Sequence, residues 1–189
     1  MTLIPAFEIG VWNAWIFTLW LLLPLPVLPL VIKSPETEEG ESSTVSSKTE
    51  RNACLAYHIM AFLIIIYSVF LPLKLGTTWL YAGLAICLLG MIMYIIVLVS
   101  FATTPPDREP VAKGLYRYSR HPMYVASFIA FIGVGIASAS WLVLLLSALY
   151  MILIAIAVPA EERSLLKQYG DAYRRYMNGT PRWIGIPKS

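Results

Sequence analysis

The chain has 189 residues, 58% of them hydrophobic and only 13% charged, with a mean hydropathy of +0.70. A soluble domain of this length is nearer half apolar and a quarter charged, so that class is excluded and an integral membrane protein remains. The net charge of +3 is too small to point to nucleic acid, and its placement along the chain is more informative than its sum.

The first ten residues carry no lysine or arginine, which predicts a retained first span rather than a cleaved leader. Crossing the hydrocarbon takes roughly 20 helical residues, and Val11 to Ile32 supplies an uncharged run, with Pro24, Pro26 and Pro29 expected to bend its second half. Residues 33–53 are rich in Ser, Thr and Glu and read as a polar loop. A second span is expected from Cys54 to Leu71, and a third from Thr78 to Phe101, ended by the paired prolines of "TTPPDREP". Met123 to Ala160 is uncharged for 38 residues, enough for a tight hairpin of two short spans turning at Ser138–Ser140. The tail "EERSLLKQYGDAYRRY" then places Leu165, Leu166, Tyr169, Tyr173 and Tyr176 at helical spacing, the pattern of an amphipathic helix on the membrane surface. Cys54 and Cys87 lack metal-ligand spacing and read as small core residues.

The expected architecture is all-α: one membrane domain of about five transmembrane helices with a carboxyl-terminal hairpin and an interfacial helix. Five spans leave one basic residue, Lys74, on one side and the other 13 on the opposite side. Basic residues are retained in the cytoplasm, so the amino terminus is expected outside and both polar regions inside.

That arrangement brings "GLYRYSRHPMY", residues 114–124, to the same membrane face as Glu161 and Glu162, because the two ends of a short hairpin must be neighbours. Arg120, His121 and Tyr124 then lie near the two carboxylates. Proline after His121 should hold its backbone extended and aim the ring. Paired carboxylates at the end of an apolar span need partners, and adjacent helical positions diverge by about 100°, so at most one faces the hairpin squarely. Arg117, Tyr118, Arg175 and Trp183 read as interfacial anchors, and His58 as a local hydrogen-bonder. A cationic ligand with an aromatic ring would suit carboxylates beside tyrosine faces, and S-adenosyl-L-methionine meets that description.

At these residues the sequence resembles the isoprenylcysteine carboxyl methyltransferase family, membrane enzymes related to phospholipid N-methyltransferases. The matching pieces are "GLYRYSRHPMY" at 114–124, "EERSLLKQYGDAYRRY" at 161–176 and "PRWIGIP" at 181–187. The resemblance implies S-adenosyl-L-methionine held by Gly114, Leu115, Tyr116, His121, Pro122, Tyr124, Glu161 and Glu162, with Lys113 at the border, and methyl transfer to a lipophilic, prenylated acceptor in the bilayer. Basic residues that eukaryotic members use for the substrate carboxylate are missing from the apolar run "ILIAIAVPA".

Arg120 or Arg174 is the expected guide for an acceptor anion. His121 should orient the cofactor's methionyl end, or take a proton if the acceptor is a phospholipid amine. Two rivals stay open. An NADPH-dependent sterol or enone reductase shares an Arg-His-Pro-like tail, but its cofactor phosphates would be repelled by Glu161 and Glu162. A transporter or scaffold would normally keep ionisable residues inside its spans. Two histidines and two scattered cysteines do not make one of the usual metal clusters.

Overall fold

A computed structural model describes residues 10–22, 47–104 and 109–187. The fold is all-α: a 3-10 helix at Ala14–Leu22, then α1 (Lys48–Val69), α2 (Thr78–Ala102), a 3-10 turn at Gly114–Arg117, α3 (Pro122–Ala137), α4 (Trp141–Tyr169) and α5 (Asp171–Gly179). Helices α1, α2 and α4 are long and apolar enough to cross a membrane, and α3 is a shorter apolar helix. The first expected span is seen only in part. Its described portion is 3-10 rather than α, and Pro24, Pro26, Pro29 and most of the 33–53 loop lie outside the described residues, as does Arg108.

Local chemistry sets the helix ends. Ser47 caps α1 in a reciprocal capping box with Glu50, and Thr77 and Ser140 cap α2 and α4 through their hydroxyls. Pro122 opens α3, where its missing N–H costs nothing.

Packing explains how a helix as short as α3 is stable. Ten of its 16 residues are buried, because it runs between α2 and α4. Against α2 the contact is backbone to backbone. A Cβ on Gly90 would sit 2.5 Å from the Ala130 nitrogen, and Cβ atoms on Gly83 and Gly133 would fall onto the backbones of Ala137 and Cys87. Lipid provides no hydrophobic drive between helices, so such close approach supplies much of the association. Gly133 thus serves close helix packing. Phe131, Tyr150 and Tyr57 continue the core edge-to-face, with ring centroids 5.3 and 6.1 Å apart.

One end of the bundle joins three distant segments: Ala14 donates to the Leu71 carbonyl, Leu73 to that of Trp12, and Lys74 to that of Ala137. The opposite end gathers the start of α1, the end of α2, the 113–121 segment and the Glu161–Glu162 region of α4, tied by Arg163–Glu50 at 2.6 Å and Lys113–Thr103 at 2.8 Å. The hairpin turns at Ser138–Ser140 as expected, with Ala139 in the left-handed region at φ 50°.

Three expectations are corrected. The hairpin's second helix does not stop at Ala160. It runs unbroken to Tyr169, so the glutamates lie within a helix whose ladder continues past Pro159. The amphipathic tail helix is broken at Gly170, whose φ of 53° suits glycine and redirects the chain into α5. Cys87 is buried, but Cys54 is exposed on α1, because it shares the outward face of that helix with Leu55 and Ile59.

Candidate active site

Gly114 opens the 3-10 turn with φ +59°, and a Cβ there would strike the Ser100 hydroxyl. Glycine therefore lets the junction lie directly on the end of α2. The turn places Ser119 so that its hydroxyl accepts from the His121 N–H at 3.1 Å and donates to the Arg182 carbonyl at 3.3 Å. His121 is the N-cap of α3, at φ −125° and ψ 53°. That ψ falls short of the extended value expected before proline, because the His121 carbonyl turns to accept the first helical bond, from Val125 at 3.3 Å.

The two glutamates take different partners, as their 100° divergence requires. Glu162 is 3% exposed. Its Oε1 accepts from Arg120 Nε at 2.9 Å, with Arg120 Nη2 in ion-pair contact at 2.8 Å, and its Oε2 accepts from Arg182 Nη2 at 2.6 Å. His121 Nε2 lies 3.3 Å from the same Oε1. Two guanidinium groups on one carboxylate make a charge-assisted knot that holds Glu162 ionised. Arg120 also donates through Nη1 to the Met177 and Thr180 carbonyls, at 2.9 and 3.2 Å. Glu161 instead turns outward. It accepts from the Tyr124 hydroxyl at 3.1 Å and lies 3.7 Å from His121 Nδ1. No lysine or arginine among the described residues reaches it.

Beside this pair lies a cavity of about 380 Å³. Of the residues expected at a site, Tyr116, Arg120, His121, Pro122, Tyr124 and Glu161 line it. Glu162 stands just behind, reached through Arg120 and His121. The others do not join. Lys113 is exposed and bonds the Thr103 carbonyl, Gly114 and Leu115 shape the turn by backbone alone, and Arg174 is exposed on α5, on the side away from buried Tyr173.

The remaining wall is apolar and aromatic: Tyr94, Leu98 and Phe101 from α2, Met123 from α3, Leu165 and Tyr169 from α4, and Tyr173 and Tyr176 from α5. The three tail tyrosines were expected to face the membrane surface. The break at Gly170 carries Tyr173 and Tyr176 to the cavity, which Tyr169 lines from the last turn of α4. Tyr176 donates to the Tyr116 carbonyl at 2.7 Å, whereas the buried hydroxyl of Tyr173 has no hydrogen-bond partner among the described residues. Burial, reinforced by Glu161, pushes the Tyr116 hydroxyl well above the usual phenol range. Burial also raises Tyr173, with Glu162 adding to it, and Tyr176, with Tyr173 adding to it. All three are neutral donors at physiological pH and none is a base.

Sequence reasoning missed Arg182. Trp183, read as an interfacial anchor, is half-buried with its ring 6.0 Å from that of His121. Arg117, Tyr118 and Arg175 are exposed, as anchors would be, and His58 bonds the Cys54 carbonyl locally at 2.8 Å. The missed signal is the run "TPRW". Its Arg182 N-terminal neighbour Pro181 pairs with the motif backbone, Arg120 N–H to Pro181 O at 3.0 Å, which carries Arg182 back to α4.

Residues 80–172 match the family described as phospholipid methyltransferase. A stretch of 75 residues is 36% identical to Methanethiol S-methyltransferase 1 of Bradyrhizobium diazoefficiens, covering 40% of this chain. The match spans only 25% of that enzyme's length. The α2–α3–α4 bundle and both glutamates fall inside the family match, while α1, Tyr173 and Arg182 fall outside it.

Proposed function

We propose that this chain, whose residues 80–172 match the phospholipid methyltransferase family, binds S-adenosyl-L-methionine in its cavity for methyl transfer to a lipophilic acceptor. The observation that carries this reading is Glu161, a carboxylate facing an aromatic-walled cavity with no guanidinium among the described residues to neutralise it. The cofactor, when bound, supplies an electrophilic methyl group on a cationic sulfur.

The chain's own residues fit such a ligand. Glu161 attracts positive charge, and the faces of Tyr116 and Tyr124 add a cation–π attraction of up to about 2 kcal/mol where water is excluded. The volume lies within the range of roughly 300–1,000 Å³ typical of small-molecule sites. Glu162 is already offset by Arg120 and Arg182, so it anchors the wall and adds little net charge. Its hold on His121 fixes the imidazole at the cavity edge. The same unpaired Glu161 would repel the phosphates of NADPH, which weighs against the reductase reading.

The acceptor proposed first is a prenylcysteine-type carboxylate, for which Leu98, Phe101, Met123 and Leu165 offer an apolar wall. Such a carboxylate is ionised at neutral pH and needs no base. A second acceptor, a thiol, is favoured by the similarity to a methanethiol S-methyltransferase and by the state of Arg120. That guanidinium already donates three hydrogen bonds, to Glu162 and two tail carbonyls, and its Nη2 is paired with the same carboxylate. A thiol must lose its proton, and His121 is the imidazole on the wall. The placement of the basic residues further favours an amino terminus outside and a cavity open to the cytoplasm.

The test is calorimetric titration of the purified protein in lipid vesicles with S-adenosylhomocysteine and, separately, NADPH. Micromolar binding of the first alone is expected, and binding of NADPH alone would overturn the reading. Transfer of a labelled methyl group to N-acetyl-S-farnesylcysteine or to a long-chain alkanethiol then separates the two acceptors.

A further inference from the structure

Tyr124 gives its hydroxyl hydrogen to Glu161 Oε2 at 3.1 Å, and its oxygen lies 3.4 Å from the hydroxyl of Tyr57 on α1. A phenol has a single hydrogen to give, so in that second contact Tyr124 accepts and Tyr57 donates. Behind Tyr57 stands the Cys54 thiol, a weak donor to the Tyr57 oxygen at 3.8 Å. Three side chains from two helices thus form one chain of hydrogen bonds whose hydrogens all point toward Glu161. Bonds linked in this sense polarise and strengthen one another.

The Tyr57 ring is fixed by packing of its own. It is buried, stacks on His58 with centroids 4.2 Å apart, and meets Tyr124 and Tyr150 edge-on. Phenylalanine would keep these ring contacts, so packing leaves the hydroxyl unexplained and the chain to Glu161 accounts for it. Glu161 benefits from such support. Its side chain is 44% exposed, and a long carboxylate left to itself at that exposure samples many rotamers.

We propose that Tyr57 is a positioning residue for the candidate site: by holding the Tyr124 hydroxyl, it keeps Glu161 aimed at the ligand's positive charge. Tyr124 and Glu161 line the cavity, whereas Tyr57 is not among its lining residues and acts only through Tyr124. A carboxylate already held in place need not be ordered when the ligand arrives, so less affinity is lost to ordering. The inference rests on the cofactor reading above and deepens it. It adds α1, which lies outside the family match at 80–172, to the elements that shape the site.

The experiment is titration calorimetry of the full chain in lipid vesicles with two ligands. One is S-adenosylhomocysteine, whose only positive charge is its ammonium, and the other is its analogue with hydrogen in place of the amino group. Tyr57→Phe should weaken S-adenosylhomocysteine by about threefold to tenfold, the range of one neutral hydrogen bond, and leave the deaminated compound unchanged. In a Tyr124→Phe background, where the chain is already cut, Tyr57→Phe should have no further effect on either ligand. A purely structural role would weaken both ligands, with or without the Tyr124 hydroxyl. The ligand-free variant should melt within about 4 °C of wild type. Unchanged affinity of Tyr57→Phe for S-adenosylhomocysteine would overturn the proposal, as would equal losses for the two compounds, additive losses in the double variant, or failure of Tyr57→Phe to fold. Failure of the wild type to bind S-adenosylhomocysteine at all would instead remove the cofactor reading, and the role of Tyr57 with it.

Discussion

Arg182 and Glu162 meet at 2.6 Å, joining the segment after α5 to the middle of α4 across the break at Gly170. The contact makes Glu162 a structural anchor and leaves its neighbour Glu161 as the carboxylate available to a ligand.

Removal of the anchor should therefore be costly in stability. Glu162→Ala leaves Arg120 and Arg182 facing each other without a counter-charge, and the loss of a buried partner of this kind costs about 3–5 kcal/mol. Arg182→Ala should cost less, about 1–2 kcal/mol, because its side chain is 41% exposed and Arg120 still serves the carboxylate. Thermal unfolding in detergent would check the order; an equal or reversed ranking would show that Glu162 is not the anchor.

Glu161→Gln should behave in the opposite way. The amide oxygen keeps an acceptor for Tyr124, and the site is half exposed, so stability should change by no more than about 0.5 kcal/mol. Affinity for S-adenosylhomocysteine should fall by about tenfold, as a charge-assisted contact becomes a neutral one. Loss of stability without loss of affinity would reassign Glu161 to the scaffold.

Gly114→Ala meets two obstacles, the positive φ and the Ser100 hydroxyl. The backbone penalty is about 1–2 kcal/mol, and the contact adds to it. Ser100→Ala in the same chain should recover the second part but not the first. A double variant no more stable than Gly114→Ala would place the whole cost in the backbone.

The pH profile of methyl transfer should report the acceptor. A carboxylate acceptor, with an ordinary ionisation near pH 4, predicts a flat rate between about pH 6 and 8. A thiol, which ionises above this window, predicts a rate that rises across it.

Much of this arrangement was legible in the sequence. Uncharged runs bounded by polar junctions located α1, α2 and the hairpin, because helix length against hydrocarbon thickness is a strong constraint. The meeting of residues 120–124 with 161–162 followed from the shortness of the turn at Ser138–Ser140. Which glutamate points where was not legible, since it depends on helix phase, and a small rotation of α4 would exchange Glu161 and Glu162. The inward turn of Tyr173 and Tyr176 was hidden for a related reason. Their spacing is that of one continuous helix, and a single glycine with positive φ redirects it. Arg182 was missed because its partner lies 20 residues away, beyond any local pattern.

The Arg120–Thr180 and Arg182–Glu162 contacts act together as a clasp. The segment after α5 is fastened to the backbone of residues 118–120 and to α4 at once, so the wall that α5 gives the cavity is held by polar contacts and ion pairs rather than by apolar packing of helices. Such a wall can loosen while the membrane-embedded bundle stays assembled, because the two are held by different forces.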